Sequence, residues 1–281
     1  MIRPVLQDRE FLADVRVAQA EAGSFHLWWL GQSGFLLQWQ GRHLVFDPYL
    51  SDSLTRKYAA TDKPHARMTE RVIDPARLDF VNVVTSSHNH TDHLDAETLG
   101  ALLKANPRLE LVVPEANRTF VADRLGILTE LPRGLEAGHK MKLGPFTLNA
   151  VPAAHEQLEC DEYGRHRYLG YVVEFGPWTV YHSGDTVRYP GMLDWLQRWC
   201  IDVAILPING RAPERRVAGN LTGQEAAQLA HDARVQCVIP CHYEMFEFNT
   251  ATPDEFVAEC DRLGQGYAAL RAGERWSSKP A

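Results

Sequence analysis

The sequence predicts a mixed α/β fold in which helices flank two stacked β-sheets. Three extended, glycine-punctuated runs lie close together near the start, and from residue 80 onward short apolar strands alternate with helices. Hydrophobic residues make up 45% of the 281 residues and charged residues 23%, which is typical of a globular chain with a substantial core.

The first part of the chain predicts a helix, a meander and a loop. The opening helix runs to about Gly23. Three extended runs with tight glycine turns then predict an antiparallel meander: Phe25–Leu30, Phe35–Trp39 and His43–Phe46. The polar, proline-containing stretch from Asp47 to about Asp79 predicts a long functional loop.

From residue 80 onward, strands and helices alternate. The predicted strands are Phe80–Thr85, Leu109–Val113, Phe146–Val151, Leu169–Phe175, Trp178–His182, Val203–Leu206 and Cys237–Pro240. The predicted helices are Ala96–Ala105, Glu115–Leu125, Met192–Trp199, Gly223–Ala233 and Pro253–Leu263. Because no repeat or long linker interrupts the pattern, we expect residues 1–281 to form a single domain.

Charge and cysteine content exclude several classes. The net charge of -7 argues against binding to a nucleic-acid backbone, which needs a positive surface. The five scattered cysteines do not resemble a disulfide framework, which favours a reducing compartment. Charges interrupt every apolar run near the N-terminus, and no apolar stretch approaches the ~18–20 residues of a membrane span. We therefore expect a cytoplasmic protein without a membrane span.

One seven-residue segment carries the strongest chemical signal. It reads Ser87-His88-Asn89-His90-Thr91-Asp92-His93 and follows the valine-rich strand directly. Alternate residues of an extended segment face the same way, so His88 and His90 can bind one ion together. Asp92 and His93 follow a turn and can reach a second ion nearby. A polar loop with coincidental histidines is the weaker interpretation, because so many metal-ligand side chains need a compensating charge.

Three more candidate ligands, His155, Asp185 and His242, each follow a predicted strand. Sites in α/β proteins gather at the carboxyl ends of strands. Each residue alone is a weak signal, but together with the segment they complete two coordination shells.

In this order the ligand candidates resemble the dinuclear hydrolases of the metallo-β-lactamase superfamily. The resemblance implies a four-layer αββα sandwich with the site at one edge of the two sheets. It assigns His88, His90 and His155 to one metal ion. It assigns Asp92, His93 and His242 to the other ion, with Asp185 bridging the two.

Four segments narrow the resemblance to the branch of L-ascorbate-6-phosphate lactonase. They are Trp29–Phe35, Phe46–Ser53, Pro207–Arg211 and Pro240–Phe246. Aspartate at 185, where lactam-cleaving enzymes often carry cysteine, points away from antibiotic hydrolysis. Histidine at 90 differs from the glutamate of diiron redox relatives.

We expect two divalent ions, zinc or manganese with iron as a further option, since histidine and carboxylate ligands suit all three. Two such ions share a hydroxide, and Asp92 orients it or takes its proton. Because the two aspartates offset only half of the metal charge, the site attracts an anionic substrate.

Several residues are candidates for supporting roles. Asp47 is expected to accept a hydrogen bond from a ligand histidine, unless it is only a turn residue before Pro48. Arg211 is a candidate clamp for a phosphate or carboxylate, although it is equally consistent with a surface arginine. The weaker candidates for substrate contacts are Gln32, Asn209, Asn220, Tyr243 and Asn249, with Phe246 and Phe248 as an apolar wall.

The expected activity is hydrolysis of a small anionic molecule, first of all a sugar lactone or phosphorylated lactone. A phosphodiesterase or phospholipase-D-like reaction is the alternative, because the same site suits both. A non-catalytic metal-binding scaffold is the alternative of another class. The lactonase relatives also suggest a homo-oligomer.

Overall fold

Two β-sheets face each other, and helices pack on both of them. The computed structural model describes residues 1–215 and 217–280. The helices are α1 (Asp8–Ala18), α2 (Ser53–Tyr58), α3 (Ala96–Ala105), α4 (Arg118–Leu125), α5 (Met192–Leu196), α6 (Gly223–Asp232) and α7 (Asp254–Leu263). Helix α3 begins at the Asp95 side chain, which accepts from the Thr98 amide, and α6 begins with a capping box between Thr222 and Glu225.

The first sheet has strands β1 (His26–Gly31), β2 (Gly34–Trp39), β3 (Arg42–Phe46), β4 (Val83–Thr85), β5 (Glu110–Pro114), β6 (Pro132–Leu135) and β13 (Arg275–Ser277). Its strand order is β13-β1-β2-β3-β4-β5-β6. The second sheet has strands β7 (Lys140–Leu143), β8 (Phe146–Pro152), β9 (Leu169–Phe175), β10 (Trp178–His182), β11 (Val203–Pro207) and β12 (Cys237–Cys241). Its strand order is β12-β11-β10-β9-β8-β7. Both sheets are mixed, so the predicted fold class is confirmed.

Strand direction brings several loops to one edge of the fold. Strands β1, β3 and β4 run in one direction, since β1 and β3 each pair antiparallel with β2 and β3 pairs parallel with β4. Strands β8, β10, β11 and β12 share a direction in the second sheet, because β8 and β10 each pair antiparallel with β9. The loops at the carboxyl ends of these strands carry the candidate site residues.

The core fills the space between the sheets with large apolar side chains. Phe46 of β3 stacks on His182 of β10, with ring centroids 4.9 Å apart. Trp39 of β2 contacts Phe175 of β9 at 5.7 Å. His182 also donates from Nε2 to the carbonyl oxygen of Ser33 at 2.9 Å, which ties the sheets together near the site edge. Burying one such aromatic side chain stabilises the fold by about 1.5–3 kcal/mol.

The structure corrects several predicted elements. The stretch 47–79 is not one loop, because it contains α2 and a 3₁₀ turn at Pro75–Arg77. Strand β4 has only three residues, and the helix predicted from Glu115 begins as a 3₁₀ turn and becomes α-helical at Arg118. Strands β6, β7 and β13 were not predicted. Their sequences PRGL, KMKL and RWS lack an apolar run, and pairing with neighbouring strands determines their structure.

Within the described ranges, no helix combines the length and apolar character that crossing a bilayer requires. All five cysteines are free thiols.

Candidate metal centre

The loop after β4 presents its histidines and aspartate from a tight turn. The amides of His93 and Leu94 both donate to the carbonyl oxygen of His90, at 3.1 and 2.7 Å. Arg124 of α4 donates from Nη1 to the carbonyl oxygen of Asn89 at 2.6 Å. These bonds hold the first histidines on one side of the turn and His93 on the other.

Among the described residues, three groups of potential ligand atoms result, and two of them together contain all the predicted ligands. In the first group, the atoms that His88, His90, His155 and Asp185 offer lie within 4.8 Å of one another. In the second group, those of Asp92, His93 and His242 meet the same limit. The structure thus brings together all seven residues that the sequence analysis predicts as ligands.

Asp185 lies between the two groups. Its Oδ2 is 3.6 Å from Nε2 of His155, in the first group. Its Oδ1 is 3.2 Å from Nε2 of His93, and Oδ2 is 3.3 Å from Nε2 of His242, both in the second group. A carboxylate with one oxygen near each of several imidazoles can contact two ions at once.

Asp47 orients one histidine of each group. Its Oδ2 accepts from Nδ1 of His93 at 2.8 Å. The Ser87 hydroxyl donates to the same carboxylate and therefore accepts from Nδ1 of His88, at 3.0 Å. Oδ1 of Asp47 accepts from Thr85 Oγ1 at 3.1 Å and from the Ser87 amide at 3.0 Å. Asp47 is fully buried, accepts from four donors and so holds His88 and His93 in place. Its carboxylate also forms the third group of potential ligand atoms, with these two histidines.

The ring orientations direct Nε2 of each buried histidine into a shared space. His155 uses Nδ1 to donate to the carbonyl oxygen of Gly219 at 2.9 Å, just as His88 and His93 use theirs within the Asp47 network. Nε2 of His88, Nε2 of His93 and Oδ1 of Asp185 are buried and lack a hydrogen-bond partner among the described residues. Native structures rarely leave such atoms unsatisfied, and imidazole nitrogen and carboxylate oxygen are metal donors. The donor set therefore fits divalent ions.

The two groups differ in charge. Burial, reinforced by the neighbouring imidazoles, lowers the pKa of His88 well below its ordinary value, so its ring is neutral. Burial also lowers the pKa of His93, but the carboxylates of Asp185 and Asp92 outweigh it and raise this pKa well above the ordinary value. In the same way, the carboxylate of Asp185 raises the pKa of His242 to about 9 against the effect of burial. Burial opposes ionisation of Asp92 and Asp185, yet the adjacent imidazoles hold the pKa of both carboxyls below the usual range.

Gln32 touches the second group. Its Nε2 donates to Oδ2 of Asp92 at 2.8 Å and lies 3.0 Å from Nε2 of His242, while its Oε1 has no partner among the described residues. Its backbone is left-handed, with φ of 52°, as are those of Asp47 (36°) and His242 (63°). Residues other than glycine rarely adopt this backbone conformation unless the surrounding structure enforces it.

A cavity of about 390 Å³ opens beside the two groups. It reaches the candidate ligands His90, Asp92, His155, Asp185 and His242. Two of the predicted substrate contacts, Gln32 and Asn249, line it, and so do Phe246 and Phe248.

The other predicted substrate contacts are not among the residues lining this cavity. Arg211 pairs with Glu225 and donates to the carbonyl oxygen of Asn220 at 3.1 Å, so its guanidinium is already engaged. The buried Asn209 side chain accepts from Asn220 Nδ2 at 3.0 Å.

Tyr243 also lies elsewhere. Its ring packs on Trp29 at 4.4 Å, and its hydroxyl donates to the carbonyl oxygen of Leu270. These four side chains have structural partners that the sequence pattern does not reveal.

Several residues of the cavity are not predicted from the sequence. Leu54, Lys57 and Tyr58 come from α2, Lys63 and His65 from the following loop, and Arg124 from α4. Tyr168, outside the lining, packs against His88 at 5.1 Å and His155 at 5.8 Å. None stands in a recognisable motif, so no local signal identifies it.

A family model described as a beta-lactamase superfamily domain matches residues 42–243, most of the chain. The chain belongs to the beta-lactamase superfamily. The resemblance that the ligand order indicated is confirmed at this level.

Similar proteins and structures are described as metal-dependent or metallo hydrolases. A UPF0173 metal-dependent hydrolase of Myxococcus xanthus is 29% identical over 259 residues, covering 88% of this chain and 80% of that protein. Two solved structures share the fold. Igni18, a metallo hydrolase from Ignicoccus hospitalis, has a TM-score of 0.67 at 20% identity and covers 92% of this chain and 100% of that one. An isothiocyanate hydrolase from Delia radicum gut bacteria has a TM-score of 0.72 at 19% identity, covering 91% of this chain and 100% of that one.

Proposed function

We propose that this chain is a dinuclear metal-dependent hydrolase of a small anionic substrate, first of all a lactone. The position of Asp185 between the two ligand groups carries the proposal, because it provides for two ions that share one carboxylate. The names of the relatives support metal-dependent hydrolysis. The four segments that resemble the lactonase branch support a sugar lactone or phosphorylated lactone.

The two ions are zinc or manganese, with iron as a further option. When bound, they supply Lewis-acid polarisation of the substrate carbonyl and activation of water at neutral pH. His88, His90 and His155 would hold one ion and His93, Asp92 and His242 the other, and Asp185, which lies between the two groups, would contribute to both.

Asp92 is the catalytic residue of this proposal. Its side chain is 17% exposed and lines the cavity, so an attacking water can reach its carboxylate. The water oxygen forms a bond to the acyl carbon, and the ester C–O bond breaks. The proton of the water passes through an Asp92 carboxylate oxygen to the leaving oxygen. Gln32, which donates to Oδ2 of Asp92, leaves the other oxygen available for this transfer.

We also propose that residues 1–281 form a single domain, which the continuous core between the sheets supports.

Metal analysis combined with an activity screen tests the proposal. The chain is purified with zinc or manganese and assayed on sugar lactones, phosphorylated lactones and phosphodiesters. We expect about two ions per chain and lactone turnover that His90→Ala reduces at least a hundredfold, since it removes a ligand of one ion. His139→Ala, which changes an exposed histidine away from the site, is the matched control and keeps full activity.

The other outcomes separate the alternatives. Turnover of phosphodiesters without lactones would support the phosphodiesterase reaction instead. Bound metal without any turnover would support a scaffold, and a chain that binds no metal would refute the proposal.

A further inference from the structure

Two parts of the cavity lie outside the ligand groups and differ in chemistry. One is Arg124 of α4, and the other is an aromatic wall, which we define as Tyr58, His65, Phe246 and Phe248. The inference drawn from them rests on the proposed function, because it concerns the substrate of the same site.

Arg124 is a half-buried cation that lines the cavity. Its Nη1 donates to the carbonyl oxygens of Asn89 and Leu94, at 2.6 and 3.4 Å. Its guanidinium lies over the ring of Phe120, 4.5 Å from the centroid. In the part of the chain that the structure describes, no carboxylate lies within ion-pair distance of it.

A half-buried guanidinium without a paired carboxylate destabilises the protein unless an anion binds to it. Burial lowers the pKa of Arg124, because the surroundings solvate the cation poorly, and the carboxylate of Asp95 offsets this only in part. Among the described residues, Nη1 is the Arg124 donor with hydrogen-bond partners, and Arg124 lines the cavity. A guanidinium binds a carboxylate or phosphate through two parallel hydrogen bonds. Arg124 therefore provides an anion-binding position next to the loop that carries His88 and His90.

The aromatic wall is a preformed apolar surface. Tyr58 and His65 stack with ring centroids 4.3 Å apart at an interplanar angle of 22°. Phe248 lies 4.4 Å from His65, and the buried Phe246 lies 5.1 Å from it. Because the four rings pack on one another, they hold their positions without a ligand and offer their remaining faces to one.

We propose that the substrate is an amphipathic anion whose carboxylate or phosphate binds Arg124 and whose aromatic or acyl part lies against the aromatic wall. Among small anionic substrates, this favours lactones or esters that carry an apolar group as well as an acidic one over hydrophilic sugar lactones. Arg124 sets the preference for the anion, and the wall sets the preference for the apolar part.

A pair of esters that differ in one carboxylate tests the anionic side. Mono-4-nitrophenyl glutarate and 4-nitrophenyl valerate have the same leaving group, and only the first carries the acid. Arg124→Gln is expected to raise KM for the glutarate at least tenfold more than KM for the valerate. Because the variant also loses the bond to the Asn89 carbonyl oxygen, any change in kcat should be the same for both esters. Arg124→Lys should give an intermediate KM, because it keeps the charge but not the planar fork.

Controls distinguish recognition from loop support. Arg118→Gln changes a half-buried arginine of the same helix that pairs with Glu115 and does not line the cavity, and it should leave both esters unaffected. Phe248→Ala should raise KM for both esters about three- to tenfold, since it removes part of an apolar surface. Equal effects of Arg124→Gln on the two esters, loss of bound metal in that variant, or an unchanged KM in Phe248→Ala would each overturn the proposal.

A binding measurement keeps this inference separate from hydrolysis. Calorimetry on the zinc-loaded full chain compares phenyl phosphate, inorganic phosphate and phenol. We expect phenyl phosphate to bind at least tenfold more tightly than either, and Arg124→Gln to weaken it at least tenfold. This result without ester turnover would refute the proposed function alone, whereas binding that does not depend on Arg124 would refute the inference.

Discussion

Asp47→Asn tests how the candidate metal centre is oriented. Asparagine preserves the volume of this fully buried side chain and one of its two acceptor oxygens. If that oxygen keeps the bonds from Thr85 and the Ser87 amide, the new amide group faces His93 and the Ser87 hydroxyl. Both of these are donors, so the amide N–H groups have no acceptor there.

His93 can relieve the conflict only by moving its proton from Nδ1 to Nε2. Nε2 is the nitrogen that faces Asp92 and Asp185, so the proton would occupy the atom that we propose binds the ion. Losing such a supporting carboxylate costs about 10–100-fold in metal affinity, or about 1.4–2.8 kcal/mol. That range matches the about 1.5–3 kcal/mol of one hydrogen bond to a charged group.

Competition with a chromophoric chelator measures zinc affinity in the wild type and in two buried-carboxylate variants. Asp95→Asn is the matched control, because Asp95 is also fully buried but caps α3 and touches no candidate ligand. It should lower the melting temperature while leaving zinc affinity unchanged. Ser87→Ala should weaken binding less than Asp47→Asn, since it removes the link to His88 and one donor to Asp47 but leaves the bond between Asp47 and His93 in place. Wild-type affinity in Asp47→Asn, or equal losses in Asp47→Asn and Asp95→Asn, would refute the reasoning.

Three further changes have defined outcomes. Burial lowers the pKa of His43 to about 4 from an unfolded value of 6.5. As the pH falls, the imidazole is therefore protonated in the unfolded state before it is protonated in the folded state. The stability that the neutral His43 contributes above pH 6.5 is lost as the pH falls towards 4. His43→Leu should remove about 3 kcal/mol of that loss in urea titrations across this range, and parallel pH curves would contradict it. Gly184→Ala places a Cβ 2.5 Å from Ser87 at a φ of +60°, whereas Gly144→Ala has a similar φ and meets nothing within 4 Å. In chemical denaturation, Gly184→Ala should lower the free energy of unfolding by at least about 2 kcal/mol more than Gly144→Ala, and it should lose metal. Equal losses of stability would show that the Ser87 side chain moves to accommodate the new methyl group. Thr222→Ala removes the capping box of α6 and should cost about 1 kcal/mol in thermal unfolding, so an unchanged melting temperature would disprove the cap's contribution.

The clustering of the candidate ligands could be predicted because their sequence signals are local. Five histidines and two aspartates each follow a strand that the sequence pattern identifies, and strands of the same direction end at the same edge. The partner of His93 could be predicted for the same reason, since Asp47 follows β3 directly. The choice of substrate depends on the cavity surface. The substrate and the branch within the superfamily are both proposals.

The cavity surface was not predictable because it depends on contacts between distant segments. Arg67 pairs with Phe246 in an isolated antiparallel bridge, which brings the segment after α2 against the segment after β12. This pairing places His65 beside Phe246 and Phe248, although nothing in the sequence around His65 distinguishes it from the other histidines. Arg211 shows the converse, because a suitable side chain after a strand is engaged by Glu225.

The distribution of charge around the cavity reconciles an acidic chain with an anionic substrate. A net charge of -7 would repel an anion if it acted evenly, but charges farther away than the Debye length of about 8 Å are largely screened at physiological salt. Near the site, the cationic side chains of Lys57, Lys63 and Arg124 line the cavity, opposed by the carboxylates of Asp92 and Asp185. Two divalent ions would more than neutralise these two carboxylates, so loading with metal would make the local field more positive. An anion would therefore be attracted by the loaded site and much less by the metal-free chain, and substrate binding would follow metal binding.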